Sequence, residues 1–234
     1  LLSAGADNSL SAASAYVIDS SSALDLGGFS ATVGALSNKG TVHIGGATPG
    51  AVLTVAGNYT GQTIAGFTSG VVAIGTVLGD DGSKTDMLKV QGDTSGRTQL
   101  QVTNVGGAGA QTVNGIKVVE VGGQSDGTFL LSGSNSYTTK DGQVAIVGGA
   151  YGYTLHKGTN AAPSDGSWYL TSALTNPTQP VDPDCKDTNS CQPPVNPTDP
   201  TDPTNPTNPT NPTGPSGPRY SASVPVYEGY VATM

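Results

Sequence analysis

Apolar residues along this chain come in runs of three or four, separated by glycine-containing corners. Tyr16-Val17-Ile18, Leu24-Asp25-Leu26, Ala31-Thr32-Val33, Val42-His43-Ile44 and Val52-Leu53-Thr54-Val55 follow one another at intervals of seven to eleven residues. Between them stand Gly27-Gly28, Gly34, Asn38-Lys39-Gly40, Gly45-Gly46 and Pro49-Gly50. These residue types enter turns because they tolerate positive φ, fix φ, or bond their own backbone. Antiparallel hairpins would favour longer strands joined by two-residue loops. Very short strands with a turn at each corner instead predict a parallel β-helix. At roughly 20 to 25 residues per rung, residues 1–55 hold about two rungs. Alternate residues then point into a narrow core of Val, Leu, Ile and Ala.

Residues 56–175 continue the β pattern with longer runs, including Val71-Val72-Ala73-Ile74, Met87-Leu88-Lys89-Val90, Ile116 to Val121 and Val144 to Val147. Several alternate apolar with polar positions, as a strand with one solvated face does. Aromatic residues also enter here, and each buries a large area, so this segment is expected to have a thicker core than the one before it. The open end of a solenoid presents unpaired N–H and C=O groups, and an atypical terminal module covers them. The candidate core of that module is Tyr59, Phe67, Leu78, Leu88, Phe129, Tyr151, Tyr153, Leu155, Trp168, Tyr169 and Leu170.

Composition narrows the function classes. Glycine accounts for 34 of 234 residues, and charged residues for only 11%, too few for amphipathic helices. Nine Lys and Arg stand against 17 Asp and Glu, a formal net charge of -8. That balance repels phosphate backbones and anionic membrane surfaces, so no nucleic-acid partner is expected. No run approaches eighteen apolar residues, which excludes a membrane-spanning helix of the ordinary kind. Beginning at Leu1 without a signal-peptide pattern and stopping at Met234, the chain reads as a piece of a longer product.

Residues 176–218 hold thirteen of the sixteen prolines, many of them in Asn-Pro-Thr and Asp-Pro-Thr triplets. A proline every third residue matches polyproline II, so the segment is expected to be a disordered, semi-rigid spacer that buries nothing. Fully extended at about 3.1 Å per residue, it would reach roughly 130 Å. From 219 to 234 an aromatic, apolar pattern restarts with Tyr220 and Val224 to Tyr230.

In order along the chain, these residues resemble the type Va autotransporter passengers of Gram-negative bacteria, pertactin-like and AIDA-like. Val52 to Tyr59 resembles the family's end-of-helix strand. Leu78 to Gly92 is similar to its L-G-D-x-S-x-T-D-x-L-x-V-x-G motif with one residue inserted near Asp81; it contains Asp80, Ser83, Asp86 and Gly92, and Gly96 follows. Gly148 to Leu155 and Trp168-Tyr169-Leu170 resemble its closing strands, and Tyr220 to Tyr230 the approach to its translocator barrel. The resemblance implies an all-β fold, a right-handed parallel β-helix of the single-stranded, pectin-lyase-like kind with a C-terminal β cap. It implies that 1–55 are passenger rungs, 56–175 an autochaperone that caps the helix and seeds its folding, 176–218 a spacer and 219–234 the start of the translocator region. It further implies a Gram-negative cell-surface protein, exported through the periplasm, that acts as an adhesin or virulence factor. Its candidate partners are its own outer-membrane barrel, a host surface and other bacterial cells.

Cys185 and Cys191 would close a short loop by a disulfide in the oxidising periplasm; two spare thiols are the alternative. Candidate chemistry elsewhere is sparse. Asp80, Asp81 and Asp86 crowd one loop with Ser83, but the spacing is not that of a calcium loop, and turn capping is the expected role. His43 and His156 have no partner at metal-ligand spacing. No G-x-S-x-G elbow is present, and Asp7, Asp19 and Asp25 do not make the clustered carboxylates of a polysaccharide-active β-helix. Asn58-Tyr59-Thr60 is a formal glycosylation sequon, read here as a turn at a strand end. No catalytic residue, metal or cofactor is therefore expected. A glycan-binding face built on Tyr151, Tyr153, Trp168 and Tyr169 is the alternative to their being core.

Overall fold

The structure, a computed structural model, describes residues 1–63, 70–159 and 161–174. The cysteine pair, the proline-rich segment, Phe67 and residues 219–234 lie outside the described residues. Eighteen strands and no helix are found among those described.

The chain winds round three faces. Strand β1 (Leu2–Ser3) is followed by β2 (Tyr16–Ile18), β3 (Ala23–Asp25), β4 (Ala31–Val33), β5 (Leu36–Asn38) and β6 (Thr41–His43). Next come β7 (Val52–Val55), β8 (Tyr59–Thr60), β9 (Gly70–Thr76), β10 (Met87–Val90), β11 (Thr94–Ser95) and β12 (Arg97–Asn104), then β13 (Ile116–Val121) and β14 (Thr128–Ser132). One face stacks β1-β3-β6-β9-β12-β14, a second β2-β5-β8-β11, and a third begins β4-β7-β10-β13. Every pairing within these stacks is parallel, so each circuit lies on the one before it.

The register shows why these residues form this coil. Ala31, Leu53, Leu88 and Val119 are successive partners on the third face, and Leu24, Val42, Val72 and Leu100 on the first; all are buried. Because each short strand sends one or two side chains inward, aliphatic residues fill the narrow interior. Partners on the third face lie 22, 35 and 31 residues apart, because loops of unequal length leave the corners. This irregularity hides the repeat from a simple periodicity search.

Parallel winding passes unchanged through residue 55, where composition alone suggested a division. β7 is bonded to β4 on one side and β10 on the other. The architecture changes instead after β14, where β15 (Ser136–Thr138), β16 (Val144–Gly148), β17 (Tyr151–Lys157) and β18 (Trp168–Leu174) form an antiparallel sheet. Alternation in strands such as β12, whose residues are exposed and buried in turn, arises equally in a coil and in a hairpin. The sequence pattern therefore could not locate this boundary.

Candidate functional site at the junction of coil and cap

A coil strand carries hydrogen-bonding groups on both edges, and β13 is the last parallel strand on its face. β18 covers its free edge in antiparallel register, with Ile116 opposite Leu170, Lys117 opposite Tyr169 and Val119 opposite Trp168. A register shift lies between Lys117 and Val119, a local irregularity that re-aims the strand. β17 then pairs with β18 over seven positions from Tyr151 to Lys157, giving the cap a longer ladder than most of the coil strands have.

An aromatic column joins the two regions. Tyr59 stacks on Phe129 at 6.0 Å between ring centres, and Phe129 meets Trp168 edge-on at 5.5 Å. The Tyr59 hydroxyl lies 2.9 Å from Thr98 Oγ1 and accepts from Asn38 Nδ2 at 3.3 Å. Burial pushes this phenol up to about 12 despite those two hydrogen bonds. Leu78, Leu88, Phe129, Tyr153, Tyr169 and Leu170 are buried, while Tyr151, Leu155 and Trp168 are half-buried and pack against the same core.

Tyr153 ties cap to coil most directly. Its hydroxyl shares its one proton between the carbonyls of Gly79 at 2.8 Å and Ala110 at 3.0 Å, and accepts the Ala110 N–H at 2.9 Å. Two corner loops are thereby bound by one cap side chain, and burial raises its phenol. The same loops fit closely against the cap: a Cβ on Gly149, whose φ is +57°, would stand 1.9 Å from the Ala108 carbonyl oxygen.

The acidic loop behaves differently from residue to residue. Asp80 Oδ1 accepts the Gly82 N–H at 3.0 Å and Ser83 Oγ donates to the Asp80 carbonyl at 2.7 Å, a local turn of the kind expected. Asp81 instead reaches another loop and accepts the N–H groups of Val113, Asn114 and Gly115 at 2.8 to 2.9 Å. Burial alone would raise this carboxyl, but the three backbone donors, together with the Asn114 side chain, outweigh it and hold it below the usual range. Asp86, fully buried, accepts from Gly50 and Ala51 at 2.9 Å and from Gly75 at 2.7 Å, joining two circuits. Only Asp80 and Ser83 cap their own turn; Asp81 and Asp86 are long-range staples, which no local reading of the motif reveals. Their oxygens are engaged by N–H donors, and no group of three or more metal-ligating side chains occurs among the described residues.

Gly92 and Gly96 are set by close approach. A Cβ at Gly92 would lie 2.4 Å from Asn58 Oδ1, and Gly96, at φ +74°, has the Gly61 carbonyl 2.8 Å from where its Cβ would be. Asn58 Oδ1 accepts the Asp93 N–H at 2.9 Å, and Asp93 Oδ1 accepts the Gln124 N–H at 2.8 Å. Each corner side chain thus caps the next circuit. Sequence reasoning missed this ladder, as well as Asn38, because the unequal loops break the spacing that would have aligned them. On the outer face, Glu120 sits between Lys89 at 2.8 Å and Lys117 at 3.8 Å, and Lys117 lies over the Tyr169 ring. Burial pushes the Tyr169 phenol up to about 12, with the Asp165 carboxylate adding to the effect.

A parallel coil whose last strand on one face is covered by an antiparallel aromatic cap is an all-β architecture consistent with an autotransporter passenger. The family model for autochaperone domain type 1 matches residues 31–155, and the chain belongs to that family. It is 52% identical over 143 residues to the adhesin BmaC autotransporter of Brucella suis biovar 1 (strain 1330), which covers 61% of this chain and 4% of that protein. It is 40% identical over 125 residues to the autotransporter adhesin AIDA-I of Escherichia coli, 53% of this chain and 8% of that protein. It is also 40% identical over 153 residues to the uncharacterized protein YuaQ of Escherichia coli (strain K12), 65% of this chain and 10% of that protein. The chain thus spans a tenth or less of the length of these relatives.

Proposed function

We propose that the coil end and its cap form a folding seed, a non-enzymatic module on which the rest of a surface-displayed passenger winds up after crossing the outer membrane of a Gram-negative cell. The observation that carries this reading is the antiparallel strand β18, which covers the edge of β13, the last parallel strand of its face among the described residues, and brings an aromatic core with it. In a solenoid, stability is nearly a sum of neighbour interfaces, so each added rung gains its full interface once one end is fixed. A cap that buries its own aromatic core supplies that fixed end without ATP. In this reading a proline-rich spacer tethers the seed to a translocator barrel. The complete protein serves as an adhesin towards a host surface or other bacterial cells, as the names of two relatives support.

Limited proteolysis of the chain, together with thermal unfolding followed by circular dichroism, tests the seed. A resistant β-rich body ending near residue 175 is expected. A body digested from both ends would show that the cap does not hold the coil, and the seeding role would be withdrawn.

A further inference from the structure

The sequence contains one Asn-Gly pair, Asn114-Gly115, in the segment between β12 and β13. Asn114 is exposed on the rim of a groove of about 450 Å³ whose other walls include Gln111, Thr112, His156 and Lys157. Water therefore reaches its side chain. In such a pair the following backbone nitrogen can attack the asparagine Cγ, since glycine brings no side chain to obstruct it. The Gly115 N–H proton passes to a base in water, the N–Cγ bond forms, the Cγ–Nδ2 bond breaks and ammonia leaves. Water then opens the five-membered imide at either carbonyl, leaving aspartate or isoaspartate at position 114.

The structure also shows why the second member of this pair is glycine. Gly115 has φ +101°, and a Cβ there would stand 2.9 Å from the Leu170 carbonyl oxygen and 3.0 Å from Tyr169 Cβ. Packing of the cap strand against the coil thus demands glycine at 115. At the same time the attacking nitrogen is occupied: the Gly115 N–H donates to Asp81 Oδ1 at 2.9 Å, beside those of Val113 and Asn114 on the same carboxylate. A nitrogen whose proton is held by an anion is disfavoured from losing it, and three anchored donors prevent it from swinging towards Cγ.

We propose that Asn114-Gly115 is an imide-forming modification site of this protein and that Asp81 keeps it unreactive while the cap is seated. Reaction requires the Asp81 clasp to open. Its products keep the clasp open, because aspartate places a second carboxylate beside Asp81 and isoaspartate lengthens the backbone within the clasp by one carbon. The modification would accordingly accumulate in chains whose cap has loosened.

The test is peptide mass spectrometry of the 234-residue chain aged at pH 8.5 and 37 °C, comparing wild type with Asp81→Ala and Asp81→Asn, each folded and in 8 M urea. Conversion at Asn114 is expected to be at least about tenfold slower in folded wild type than in urea. Folded Asp81→Asn should recover about tenfold in rate, the factor that corresponds to losing one charge-assisted hydrogen bond. Equal rates in urea will show that Asp81 acts only through the fold. Should Asp81→Ala unfold, the comparison rests on Asp81→Asn and on hydrogen exchange of the Gly115 amide, which must be protected in wild type. A folded Asp81→Asn that ages at the wild-type rate, or an unprotected Gly115 amide, overturns the proposal.

Discussion

The coil and the cap solve the same problem of unpaired strand edges in different ways. In the coil, strands of two to eight residues bury aliphatic side chains in axial columns, and corner side chains such as Asn58 and Asp93 bond forward to the next circuit. Each circuit pairs with its neighbours in the same parallel manner, so strand pairing within the coil specifies no end. In the cap, β17 and β18 pair over seven positions and carry Tyr151, Tyr153, Trp168 and Tyr169. Aromatic side chains bury more area per residue, and a hydroxyl can reach the loops that the coil leaves outside. The coil is an extensible stack, and the cap is a unique piece that fits one end of it.

The comparison breaks most visibly if the cap's anchors are removed. Tyr153→Ala and Trp168→Ala are each expected to cost about 3–5 kcal/mol, seen as a lower urea midpoint and as proteolysis at the junction. If either variant keeps the wild-type midpoint, that residue is not an anchor. Within the coil, the largest effect should come from Asp86→Ala, which strands three N–H donors of neighbouring circuits and should cost about 3 kcal/mol. A loss under about 1 kcal/mol would mean that water replaces the carboxylate readily.

A smaller effect is set by pH. The carboxyls of Asp81, Glu120 and Asp165 are all held below their ordinary range: Asp81 by backbone donors and the Asn114 side chain, which outweigh its burial, Glu120 chiefly by Lys89, and Asp165 chiefly by Tyr169. A group with a depressed folded pKa contributes stability that is present above its unfolded pKa and is lost as pH falls through the folded one. The melting temperature should therefore hold from pH 7 to about 5 and fall below about pH 4. In Asp81→Asn the acid fall should be shallower; an unchanged acid limb would show that the clasp is not under electrostatic control. Smallest of all is the outer ion pair. Both partners are about a third exposed, and Lys89→Ala should change stability by about 0.5 kcal/mol or less.

Much of this was legible in the amino-acid order. Short aliphatic runs with glycine corners suit a parallel coil, in which each circuit is built of short strands with a turn at each corner. The aromatics of residues 56–175 were readable as a thicker core than that of the segment before them. Asp80 and Ser83 are readable as a turn, since their bonds run to residues two or three positions away.

Contacts between circuits were not legible. Asp81 to Val113–Gly115, Asp86 to Gly50 and Ala51, and Tyr153 to Gly79 and Ala110 join residues 32 to 74 positions apart, across loops of unequal length. For the same reason composition placed a boundary at residue 55, whereas the winding continues to Ser132. Local propensity and inward-outward alternation are properties of neighbouring residues, so the sequence by itself determined the strands, the corners and the aliphatic core. The end of the stack, and the side chains that lock it, depend on which circuit lies against which, and only the tertiary structure decided that.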